Sequence, residues 1–332
     1  MPDSISKPAL RARHVPRPEN APAPAPISRG PLHLAAAPAA APKPPKTHLV
    51  WQDQFVKVVS DENLSKAKAQ AVAKKIEDAA RFDSAQHQWP DSKPLGKQVT
   101  VEVLSKKGFD ALFGGDAGGT AGVTLGPDLM AVPDTVATKS TPDDDDTLAH
   151  EMVHVQDERI GGDRVDLVPT YLQEGKAYVL GDSYPIALHE DANDPALRGV
   201  AQQVGNVTAA KAQDVIDHYR DPEAEEDPSR DGFVDETTGA LYVEYLRTRL
   251  NGTGVSDTIP RLAKVIGEVG KGAAYEDAFQ KQFGVSMKDS EKGFVKFVKD
   301  TEGKPAERLK GMLWEKYLPA RAAAEAPALK AA

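Results

Sequence analysis

The chain has 332 residues, 40% of them hydrophobic and 27% charged, with a formal net charge of −9. That is long enough for one large domain or two moderate ones with a real core, and the composition is ordinary for a soluble protein. No apolar run approaches the ~18 residues of a membrane span, zero cysteines exclude disulfides and thiolate metal ligands, and the acidic body argues against a nucleic-acid partner.

The charge is unevenly placed. Residues 1–47 carry seven Lys/Arg against two Asp/Glu and hold 12 of the 26 prolines. Proline lacks an N–H and fixes φ, so runs such as "APAPAP" and "AAAPAAAPKPP" cannot join a helix or sheet core. The segment reads as a disordered, partly polyproline-II tail. It is either a solvated leader or a recognition element for a delivery partner. It has no apolar h-region, so no secretory signal peptide is expected. The protein is therefore expected to be cytoplasmic or exported by a signal-less route.

From His48 the composition becomes globular. Apolar residues at helical spacing over 61–82, without a breaker, predict an amphipathic helix. "QVTVEVL", 98–104, alternates with period two and predicts a strand. "AGVTLGPDLMAVP", 121–133, predicts two short strands around a "GPD" turn. Ser140 or Thr141 suits the N-cap of a central helix, and Pro142 its first turn. Asp143, Asp144, Asp145 and Asp146 then complement the helix dipole on a solvated face, although a calcium ion is another conceivable occupant. After residue 160 helices dominate, at 169–180, 239–250, 257–269, 273–283 and 287–300. "LPARAAAEAPALKAA" reads as a frayed tail, and no internal repeat is present.

The central helix carries "HEMVH". Residues four apart on a helix share a face, so His150 and His154 can present two imidazole nitrogens to one ion. Glu151 lies about 100° round from His150, which suits a base acting on water beside a metal. Leu148, Met152 and Val155 form an apolar stripe, so this helix is expected to be buried on at least one side. A buried histidine pair without a ligand is costly to desolvate. Catalytic zinc usually takes three protein ligands. Glu174 in "PTYLQEGKAYVLGD" supplies the third, and Gly175 after it suggests close approach of the two helices. Asp163 or Asp166 is the alternative ligand. Glycine at 157 and histidine at 160 would mark a metzincin, but Asp157 and Ile160 stand there.

"HEMVH" followed by "YLQEGKAYVLG" resembles the gluzincin metallopeptidases, the thermolysin-like and peptidase MA-like proteins. The likeness covers roughly residues 50–300. It implies an α+β zincin-type fold: an α/β subdomain with a small mixed sheet (48–160), a mainly helical subdomain carrying the third ligand (161–316), and flanking tails (1–47 and 317–332). It implies Zn2+ held by His150, His154 and Glu174, with Glu151 as base and a peptide or protein as substrate. It also implies that the strand near 121–132 pairs with an extended substrate. Two positions depart from the family pattern. Glu236 stands where relatives often have a tyrosine, leaving Tyr242, Tyr245, His218 and Tyr219 as candidate oxyanion donors, with Tyr242 taken as the choice. Tyr178 stands where an aspartate is usual, leaving Asp182 and Asp157 as candidate partners of the ligands.

The stretch 218–236 reads as a solvated acidic loop that can border the cleft and favour basic substrates. His14, His33, His48, His87 and His189 receive no role. The expected function is zinc-dependent peptide hydrolysis. The alternative is a zincin-fold binding protein, or cargo of a secretion or injection machine, whose tail is the recognition element.

Overall fold

The computed structural model describes residues 45–87, 97–113, 115, 117, 121–139, 142–189, 194–220, 232–250 and 257–318. The expected caps Ser140 and Thr141, most of the Pro-rich tail, the segment from 319 and the acidic stretch 221–231 lie outside them.

Strands β1 (His48–Gln52) and β2 (Val56–Ser60) form a hairpin that the sequence reading left unassigned. Asp53 makes the turn, because its Oδ1 accepts from the Phe55 and Val56 N–H groups at 2.7 and 2.8 Å. The predicted helix over 61–82 is α1 (Lys66–Gln86), which starts later than expected. Ser65 caps it, accepting from the Lys68 N–H. Asp61 is spent elsewhere, accepting from the Ser105 N–H and hydroxyl at 2.7 Å each. Those bonds fix the corner where β3 (Val99–Leu104) passes into α2 (Lys106–Leu112).

The two strands around the "GPD" turn are present as β4 (Val123–Gly126) and β5 (Leu129–Pro133). The five strands form one mixed sheet in the order β1-β2-β3-β5-β4. β2, β3 and β5 run parallel, while β1 and β4 are antiparallel edges. Period-two alternation puts Val99, Val101, Val103, Met130 and Val132 on one face, in a common core with α1 and Leu148, Met152 and Val155. Leu104, Val123 and Ala131 take the other face with Phe109 of α2.

After the short α3 (Asp134–Ala137) comes the central helix α4 (Pro142–Gly161), whose first residue is Pro142 as expected. The solvated aspartate face is corrected. Asp144 and Asp145 are buried and Asp146 half-buried, because α1 packs on this end of α4. Lys75 of α1 pairs with Asp145 at 3.0 Å.

A 3-10 turn over Gly162–Leu167 leads to α5 (Thr170–His189), which ends nine residues later than predicted and continues through Pro185. Helices α6 (Pro195–Asn206) and α7 (Ala209–Tyr219) follow. Then come α8 (Gly232–Tyr245) with a π-helical extension Leu246–Leu250, α9 (Thr258–Gly270), α10 (Tyr275–Phe283) and α11 (Met287–Asp300). The tail expected from 317 begins too early. Beyond α12 (Pro305–Arg308), both Trp314 and Tyr317 are buried in the helical core. Among the described residues the fold is thus α+β, with twelve α-helices and a five-stranded mixed sheet.

Gly175 has a different reason from the one expected. It faces α8, not the histidine helix: a Cβ there would collide with the Gly239 carbonyl. The glycine that admits α4 is Gly181, whose Cβ would meet the Asp146 carboxylate and the His150 side chain. Gly175→Ala should therefore cost about 1–3 kcal/mol, as overpacking does. Exposed Gly199 in α6 has open space around it, so Gly199→Ala should gain about 0.5–1 kcal/mol. Chemical denaturation of both variants checks the opposite signs.

Candidate metal centre

α4 and α5 pack side by side and bring three predicted ligands together. His150 and His154 lie one turn apart on α4, 1% and 0% exposed, and Glu174 of α5 is 7% exposed. Their Nε2, Nε2 and Oε2 atoms converge. His150 to His154 is 3.0 Å, His154 to Glu174 is 3.1 Å, and His150 to Glu174 is 3.3 Å. Among the described residues this is the one group of His, Asp and Glu side chains arranged to hold a metal ion.

The triangle fits an ion. Ligands disposed tetrahedrally about an ion with bonds of ~2.0–2.1 Å lie about 3.3 Å apart. Hydrogen bonding alone explains the arrangement poorly. Two Nε2 atoms facing each other and one carboxylate oxygen leave at most two N–H donors for three short contacts. Nitrogen and oxygen lone pairs aimed at one point in a dry interior are the donor set of a divalent cation.

Burial alone would raise the Glu174 carboxyl, but the adjacent His154 and His150 outweigh it and hold the group well below the usual carboxylate range.

Glu151 points from α4 toward β4, the sheet edge. It is fully buried. The Thr124 hydroxyl sits 2.8 Å from Glu151 Oε2 and 2.9 Å from the Glu151 carbonyl, and its single proton serves one acceptor at a time. Gly122 makes room, since a Cβ there would stand 2.8 Å from Glu151 Cγ. Thr124 and Gly122 were missed as site residues. The available signal was their place in and just before the first strand of the "GPD" pair, but nothing in the sequence indicates which face of β4 turns inward.

The other candidates fall elsewhere. Tyr242 is not brought to the cluster. Its phenol is fully buried among Tyr171, Tyr245 and Phe294, and its hydroxyl lies 2.8 Å from Ser290 Oγ. Tyr245 packs on Phe294 and Phe297. The Tyr219 hydroxyl donates to Asp235 at 3.2 Å, and the His218 ring lies edge-on to Tyr219. Asp163 and Asp166 are exposed in the 3-10 turn and are not part of the metal group. Tyr178 lies edge-on to the His150 ring, with centroids 6.3 Å apart. Asp182 accepts from Trp314 Nε1 at 2.5 Å, and Asp157 pairs with the buried ammonium of Lys176.

No protein-family model matches this chain, and no curated protein matches it. No helix among the described residues is long and apolar enough to cross a membrane.

An ion that binds only the folded state stabilises it by mass action, by about 2.7 kcal/mol at a hundredfold excess over Kd. Adding Zn2+ should raise the melting temperature of wild type, excess chelator should reverse the rise, and Glu174→Gln should reduce it. A melting temperature indifferent to both additions would leave the cluster without an ion.

Proposed function

We propose that the chain is a zinc-dependent peptidase with a zincin-type fold of the gluzincin kind. One observation carries this reading: two imidazole nitrogens and a carboxylate oxygen converge, and a second carboxylate on the same helix is held beside the sheet edge. Zinc is favoured by the N,N,O donor set with three ligands, the number at which a catalytic site keeps a position open. When bound, it would supply Lewis acidity to a water and to a substrate carbonyl.

The remaining chemistry belongs to the chain. Glu151 follows His150 directly, so one helix sets the base relative to the ligands. Its carboxylate would take the proton of the attacking water and pass it to the leaving amine. Thr124 would hold Oε2 and so aim the group. β4 is an antiparallel edge strand and can add an extended peptide as one more strand next to that carboxylate. Tyr242, engaged with Ser290, is not included in the mechanism.

A second reading has its own observation. Glu151, His150 and His154 are all but inaccessible to solvent. This favours a binding protein in which the ion is structural, with the Pro-rich tail as a recognition element.

Glu151→Gln separates the two. In the peptidase, hydrolysis of a broad peptide library should fall at least ~10³-fold while zinc stays bound, since general-base chemistry is lost and the ligands are intact. Thr124→Val should lower kcat by about tenfold with little change in KM, and Thr124→Ser should keep most activity. Wild type that binds zinc but cleaves nothing supports the second reading.

A further inference from the structure

Beside the metal centre lies a charge pair that the proposed chemistry does not use. Asp157 is three residues past His154, about 4.5 Å further along α4. Lys176 is two residues past Glu174 on α5. Both are buried, at 0% and 1% exposure, and the Lys176 ammonium contacts Asp157 Oδ1. A buried lysine is rare unless paired, and it is oddly placed next to ligands that gather a cation. The pair is also incompletely bonded, since Asp157 Oδ2 accepts no hydrogen bond from the described residues. Buried ion pairs contribute to stability chiefly when their remaining lone pairs are satisfied. Replacing such a pair with apolar residues of similar size is often neutral or stabilising. A structural staple is thus a poor account of why it is there.

We infer that Asp157 is a positioning residue for the metal centre that acts through charge: it neutralises the buried Lys176 ammonium on the adjoining helix turns, and so sets metal affinity. The inference rests on the reading of His150, His154 and Glu174 as metal ligands. The two charges have opposite effects on a nearby divalent ion. Without Asp157, a buried ammonium is left close to it. Without Lys176, a buried carboxylate is left instead. A purely structural role gives no such difference in sign.

The test is zinc affinity of the full chain at pH 7, by competition with a chromophoric chelator, with folding checked by circular dichroism. Asp157→Asn should weaken zinc binding about 10–100-fold, the loss usual for partners of metal ligands. Lys176→Met should bind zinc as tightly as wild type or more tightly, although the apo protein is less stable. The double variant Asp157→Leu/Lys176→Met should fold and recover most of the affinity lost in Asp157→Asn.

Unchanged affinity in Asp157→Asn overturns the inference, as does equal weakening in both single variants. Should Asp157→Asn fail to fold, the other two variants decide, and affinity in either falling tenfold or more overturns it. Wild type that takes up no zinc overturns both this inference and the ligand assignment. Wild type that binds zinc while Asp157→Asn binds equally well overturns this inference alone.

Discussion

The structure depends on one costly arrangement: three lone-pair donors drawn to within 3.3 Å of one another in an interior almost free of water. Taking such groups out of water opposes folding unless they pair with one another or hold an ion. Something must offset that cost, and the helices around the cluster have little freedom to relax it. α4 is apolar toward the sheet through Leu148, Met152 and Val155, and toward the helical core through Val153. α5 is held between α4 and α8, with Gly181 against one and Gly175 against the other. Neither helix can rotate its ligands outward without giving up a core.

The sheet contributes an edge more than a platform. β4 ends the sheet beside α4, and Thr124 reaches the carboxylate that follows the first ligand. This links a strand register to a side-chain position. Slipping β4 by one residue would turn Thr124 away and bring Val123 or Leu125 against Glu151. The Arg159 guanidinium guards against the slip. It donates to the Pro127 carbonyl and the Asp128 carboxylate in the β4–β5 turn, and to the Lys97 carbonyl.

What the sequence revealed, and what it hid, follows the physics of each feature. The histidine helix was legible because helical periodicity and the spacing of the pair coincide: positions four apart share one face. Glu174 was legible because its apolar flanks placed it on a buried helix. The strand pair around "GPD" announced itself through its turn. The β1–β2 hairpin was missed although Val56 and Val58 alternate properly, because its turn is made by an aspartate and not by a glycine pair. α5 was expected to stop at 180, yet packing carries it on through Gly181 and Pro185. Asp144, Asp145 and Asp146 were misread because charge density says nothing about which neighbour will cover them. The reason assigned to Gly175 failed similarly: a small residue signals a close approach without naming the partner. Thr124 and the Lys176–Asp157 pair are long-range facts, invisible to any local pattern.

The Trp314 indole tells something about biosynthesis. Its N–H donates to Asp182 on the ligand-bearing α5, 132 residues earlier. Nearby, Arg308 donates to the carbonyls of Gly205, Val207 and Val298 and to the Thr301 hydroxyl, a buried cation gathering the ends of α6 and α11. A nascent chain therefore carries both histidines and Glu174 out of the ribosome on the order of 10 s before α5 acquires its last support. During that interval the three side chains sit on helices with incomplete walls. A chain cut short before Trp314 would leave α5, and with it Glu174, without this support.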